Sequence, residues 1–165
     1  MQTFGTVLRK YYLCARISKI CIVMINLTGI SSPRARNIHQ LIITETLLNM
    51  HPEIKARRGW HMMYEATVTD NPLDNYPDII VMNPKGELQF SLEITRSWGM
   101  SYDKRKGLML KQRFPNAEFF IYNYERDILY GLGDDLQWYS SEQFELRSRL
   151  FVLPILEYIY VPEDY

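Results

Sequence analysis

Two carboxylates stand out by type and position: Asp78, in the run YPDIIVM, and Glu93, in ELQFSLEIT. Both runs read as β-strands, and Asn83-Pro84-Lys85-Gly86 between them suits a turn, with Pro second and Gly fourth. With a loop of two or four residues, Asp78 lies across from Ser91, and Glu93 is two residues further along the same strand. Side chains two apart share a face, so both carboxylates project to one side, within about 7 Å at their Cβ atoms. A loop of three residues would instead turn them to opposite faces. Like charges that close are costly unless a cation or a proton intervenes. Two carboxylates, completed by waters and a phosphate oxygen, suit Mg²⁺, with Mn²⁺ as a substitute. A metal so held polarises a phosphate and acidifies a bound water, which is the chemistry of phosphodiester hydrolysis.

That chemistry also wants a cationic side chain. The segment after Glu93 offers Lys104, Arg105 and Lys106 on an expected helix from about Ser101 to Phe114, with Ser101 as N-cap and Asp103 in the first turn. Lys106 shares a helical stripe with Tyr102 and Met109, which turns it towards the sheet and makes it the first choice, with Lys104 second. Glu45 is a further candidate, being an acid on the apolar stripe Ile38, Leu41, Ile42 and Leu48. Glu65, on a third strand, is another. His39, His51 and His61 show no ligand spacing, and Phe119, Phe120, Tyr122, Tyr124 and Tyr130 read as hairpin packing.

The elements that must position these residues follow from periodicity. Residues 20–27 (ICIVMINL) read as a buried strand, and 38–51 as a helix that Pro52 should end. Trp60, Met62, Tyr64, Ala66 and Val68 alternate as one face of a strand. AEFFIYNY and DILYGL form a hairpin about Glu125-Arg126, and LRSRLFVLPILEYIY is apolar enough to pack back on the sheet. The order is β-α-β-β-β-α-β-β with an unassigned end, an α/β sheet flanked by helices. Residues 1–19 are poorly patterned and read as an arm, ahead of a single domain over 20–165.

The 165-residue chain is 47% hydrophobic, enough for a real core without staples. Its longest apolar run, Ile20 to Ile25, is far short of the ~20 residues needed to span a bilayer, and no secretory signal is legible. Cys14 and Cys21 have neither zinc nor redox spacing, as expected of reduced thiols in a cytoplasmic protein. A net charge of zero argues against a strongly basic nucleic-acid-binding tail. The zero conceals an asymmetry: residues 1–60 hold nine basic against two acidic side chains, and 61–165 hold ten against seventeen.

The run YPDIIV–LEIT–SYDKRKGLML–AEFFIYN resembles the Uma-type family of restriction-endonuclease relatives, within the PD-(D/E)XK nuclease fold. His39-Gln40 matches the family's helix opening, Glu65 its strand acid, and Pro77-Asp78 and Glu93 its metal acids. Tyr102-Asp103 stands at the family distance, nine residues after Glu93, and Glu118-Phe119-Phe120-Ile121-Tyr122 resembles its later strand. The likeness spans roughly residues 20–160. It implies a restriction-endonuclease-like mixed β-sheet flanked by helices, with extra β-hairpins, and a Mg²⁺-dependent cut of nucleic acid, DNA first, by an enzyme that acts as a dimer. The chain departs from the pattern in two places. Its helix lysine is Lys106, one position early, with Gly107 in the family's place, and YYLCARISK holds no counterpart to an N-terminal acid.

The expected function is therefore a metal-dependent endonuclease. The rival is a catalytically inactive nuclease-like fold that binds nucleic acid or a protein, and the reach of the Lys106 amine separates them.

Overall fold

The computed structural model describes residues 34–66 and 76–162. The expected arm, the strand over 20–27, both cysteines and Val68 lie outside these residues. The chain divides into two compact units, 1–40 and 41–165, and the whole sheet belongs to the second.

The described elements are α1 (Arg34–Ala56), β1 (His61–Tyr64), β2 (Ile79–Met82), β3 (Leu88–Thr95), α2 (Met100–Arg113), β4 (Glu118–Asn123), β5 (Ile128–Leu132), β6 (Trp138–Ser140) and α3 (Ile155–Tyr158). The six strands form one sheet in the order β1-β2-β3-β4-β5-β6. Every neighbouring pair is antiparallel except β3 with β4, which is parallel. A parallel pair needs a long crossover, and α2 supplies it. The fold is thus α/β with a mixed sheet, as expected.

Alternation along β3 separates two faces. Ser91 and Glu93 share the side of Ile80, Phe119 and Ile121. Here Leu108 and Leu110 of α2, with Phe114 at its C-cap, pack with Trp138 against Ile80, Leu88, Ala117, Phe119 and Leu132. The opposite face carries Phe90, whose ring stacks on Phe120 at 5.5 Å and meets Phe151 of the C-terminal segment at 6.4 Å. LRSRLFVLPILEYIY therefore does pack back, burying Phe151, Leu153 and Ile155, and only the four residues after Pro154 become helical. With both faces covered, Phe90, Leu92, Ile79, Ile80, Val81 and Ile121 are fully buried.

Several boundaries differ from the sequence reading. Helix α1 runs through Pro52 to Ala56. An exposed proline costs that helix one N–H bond, while Met50 and Ile54 on either side are buried and hold it together. Its buried stripe is Ile42, Ile43, Thr46, Leu47, Met50 and Ile54, rotated from the expected one, so Leu41 and Leu48 lie at its margin. Strand β1 stops at Tyr64 because Glu65 takes a left-handed conformation, φ 45°. Helix α2 starts one residue early, with Gly99 rather than Ser101 as N-cap. Strand β6 was not foreseen. Among the described residues no helix is long and apolar enough to cross a membrane.

Candidate functional site

The β2–β3 hairpin decides whether the two acids meet. Its turn closes with Asn83 N–H on the Glu87 carbonyl and Gly86 N–H on the Asn83 carbonyl, and Gly86 adopts φ 77°, a conformation only glycine enters without strain. The loop between Asn83 and Glu87 thus has three residues, the length that by itself would separate the acids. A bulge between Val81 and Met82 shifts the register back. Ile79 faces Leu92, so the register continued to Asp78, just ahead of β2, runs to Glu93 rather than Ser91. The register so continued brings the pair to one side, and the Asp78 charge acts on Glu93.

Asp78 sits at the mouth of β2, half-buried, and is tied to both neighbouring strands. Its Oδ2 accepts the Ile94 N–H at 2.7 Å, and its carbonyl accepts the Glu65 N–H at 3.1 Å. Glu93 is buried, 8% exposed. Lys106 reaches down from α2, its Nζ 2.5 Å from Glu93 Oε1 and donating to the Tyr76 carbonyl at 3.0 Å. The ammonium is thus the charged partner of the buried Oε1, in direct contact with it. Burial first, and then the negative charges of Asp78 and Asp103, hold the Glu93 carboxyl well above the usual carboxylate range, against the pull of Lys106. One ammonium does not balance that environment.

Asp103, absent from the sequence candidates, adds its negative charge to the field that raises the Glu93 carboxyl. Its placement four residues into a helix that follows Glu93 was the available signal. Lys104 turns away, its Nζ 4.6 Å from the Tyr130 ring centroid. Lys106 is buried, but its expected stripe-mates Tyr102 and Met109 are 47% and 71% exposed, so the lysine lies at the edge of the buried face. The neighbouring position is sterically tight: a Cβ on Gly107 would come within 2.6 Å of the Trp138 ring. A side chain at 107 would have to displace that ring, and position 106 delivers the amine. Glu45 is half-buried at the flank of α1, Glu65 is exposed, and the acids acting most strongly on Glu93 are Asp78 and Asp103 rather than these two.

Among the described residues no group of three or more His, Cys, Asp or Glu side chains is disposed to hold a metal. A cation here would take Asp78 and Glu93 and complete its shell with water and substrate oxygens, the habit of Mg²⁺. The surplus of acid over base around Glu93 is compatible with such a guest. A cleft of about 780 Å³ lies elsewhere, bordered by Lys111, Glu118, Asp134, Tyr139 and Arg149. Its charges largely satisfy one another, as in Lys111–Asp134 and Arg149–Asp134, so the chemistry is better placed at Glu93. No family model and no curated protein matches the chain.

Proposed function

We propose that the protein is a Mg²⁺-dependent endonuclease of restriction-endonuclease-like type, cleaving nucleic-acid phosphodiester bonds, DNA first, in the cytoplasm. The observation that carries this reading is the meeting of Asp78, Glu93 and Lys106 on one buried face, with the Lys106 amine 2.5 Å from Glu93 Oε1. The mixed sheet, with a helix bridging its parallel pair and carrying the lysine, supports the same family reading.

When bound, Mg²⁺ would polarise the scissile phosphate and acidify the attacking water. Asp78, anchored through Oδ2 to the Ile94 amide, is oriented before any ligand arrives, so little reorganisation accompanies binding. Glu93 must surrender its proton or its ion pair to take a cation, and burial makes the charged acid bind the more tightly once it does. Lys106 then turns from Glu93 to the phosphate oxygens, still tethered near the site by the Tyr76 carbonyl. One observation favours the rival reading, a silent nucleic-acid or protein binder: the ammonium already partners Glu93 without a metal.

The test is cleavage of supercoiled plasmid, single-stranded DNA and RNA in Mg²⁺, Mn²⁺ or EDTA, beside folded Asp78→Ala and Glu93→Ala. Metal-dependent cutting that both substitutions abolish is the expected result. Neither cutting nor metal binding by the wild type would leave the binding module in its place.

A further inference from the structure

The cleft of about 780 Å³ is bordered by the end of α2 and the turn after it, by β4 to β6 and by residues 144–150. Its volume is that of a small-molecule site. The floor is apolar: at Gly131 of β5 an added Cβ would stand 3.2 Å from both Leu146 and the Phe120 ring, so these two side chains close over bare backbone. Tyr139 and Phe144 supply an aromatic wall, their rings 5.0 Å apart and inclined at 59°. The Tyr139 hydroxyl donates to Asp135 Oδ2 at 2.5 Å and needs no other partner. Phe144 and Leu136 border this concavity yet stay 45% and 41% exposed, and a flat apolar guest would take both out of water.

The polar end differs in character. Asp134 accepts Lys111 on Oδ1 at 3.3 Å and Arg149 on Oδ2 at 2.5 Å, so two cations converge on one carboxylate. Of the other charged groups that border the cleft, Arg147 and Glu145 pair with each other. Glu118 accepts from the Ser148 hydroxyl and the Arg149 amide, and burial pushes its carboxyl up, towards the neutral form. Asp134 is 66% exposed and loses little by turning into water, whereas the Lys111 side chain, 9% exposed, has no such exit. A carboxylate is therefore held here by two cations, and it is one that a guest can replace.

We propose that this cleft binds a small aromatic carboxylate, its ring against Phe144, Tyr139 and the Phe120 floor, and its carboxylate on Arg149 and Lys111 in exchange for Asp134. The head group is a carboxylate because that is what the two cations already span. Arg149 meets it as a planar fork, and Lys111 as a desolvated point charge. Binding here is independent of the nuclease reading, because neither Asp78 nor Glu93 borders the cleft.

The experiment is isothermal titration with 2-naphthoate, beside the uncharged 2-naphthamide and the ringless acetate. 2-Naphthoate should bind at least ~10-fold tighter than either, since each lacks one half of the recognition. Arg149→Met should weaken it about tenfold, and Phe144→Ala about three- to tenfold. Both side chains are largely in water, so the fold tolerates their loss. Asp134→Asn should act in the opposite direction and tighten binding about two- to fivefold, because the internal carboxylate no longer competes. Lys85→Gln, which removes an exposed cation that does not border the cleft, should bind as the wild type does. No binding of 2-naphthoate by the wild type would overturn the site. Equal binding of the amide, binding that survives both Arg149→Met and Phe144→Ala, or an Asp134→Asn protein that binds no tighter would do the same. Nothing is cut in this titration, so failure of the nuclease reading leaves its outcome untouched.

Discussion

Helix α2 carries two buried lysines, and the acids they meet live in different solvents. Lys106 faces Glu93, with side chains 9% and 10% exposed, whereas Lys111, equally buried, faces Asp134 at 66%. Lys111 is satisfied: it donates to the Ala117 carbonyl at 3.0 Å and to Asp134 Oδ1 at 3.3 Å. Asp134 also takes Arg149 at 2.5 Å, and these two cations, Arg149 first, hold its carboxyl below the usual range. Glu93 goes the other way because burial and two neighbouring acids outweigh one ammonium. The same residue type on the same helix thus makes a satisfied clip at one end and a buried pair with a raised carboxyl at the other. What separates them is water around the acid, since desolvation penalises charge far more than one ion pair repays.

The contrast can be broken most sharply by activity. Glu93→Gln and Lys106→Met should each lower metal-dependent cleavage by at least ~10²-fold, while Lys111→Met and Asp134→Asn stay within about twofold of wild type. Equal losses at both ends would erase the distinction. Next in size is stability, read by urea unfolding without metal. At a pH where Glu93 is ionised, Lys106→Met strands a buried charge and should cost about 3 kcal/mol. Lys111→Met leaves its acid in water and should cost about 1 kcal/mol, mainly for the Ala117 carbonyl.

The smallest effect is the most diagnostic, because its sign differs between the two ends. Folding raises the proton affinity of Glu93. Its contribution to stability is therefore fully present below the ordinary carboxylate range and lost as pH rises through its raised value. Asp134 is depressed, so its contribution is present above the ordinary range and lost as pH falls through its lowered value. Unfolding free energies across pH in EDTA should lose the first slope in Glu93→Gln and the second in Asp134→Asn. Slopes of the same sign would mean that Glu93 is as well solvated as Asp134.

Most strands were legible because their residues alternate or run apolar over the right length: YPDIIVM, ELQFSLEIT, AEFFIYNY and DILYGL all became strands within a residue or three of their expected bounds. WYS was too short to announce β6. Pro52 misled because a local rule was applied where buried residues on both sides of the proline override it. Of the aromatic residues named from the sequence, Phe119, Phe120, Tyr122 and Tyr124 are buried and Tyr130 half-buried, whereas the exposed indole at Trp98 carries no sequence signature. Exposure is a property of the neighbours, and these come from the distant Asn123 and Glu125.

The sequence by itself determined that Asp78 and Glu93 lie on adjoining strands and that a cationic helix follows them, because strand and helix periods are local. Only the tertiary structure decided that the acids share a face. The three-residue loop alone argues against it, and a bulge at Val81/Met82, fixed by packing on both sides of the sheet, restores it. It also decided which lysine serves: the Trp138 ring crowds position 107, and Lys106 is the neighbour that reaches Glu93. Register and steric exclusion are set between elements distant in sequence, and no pattern within one element encodes them.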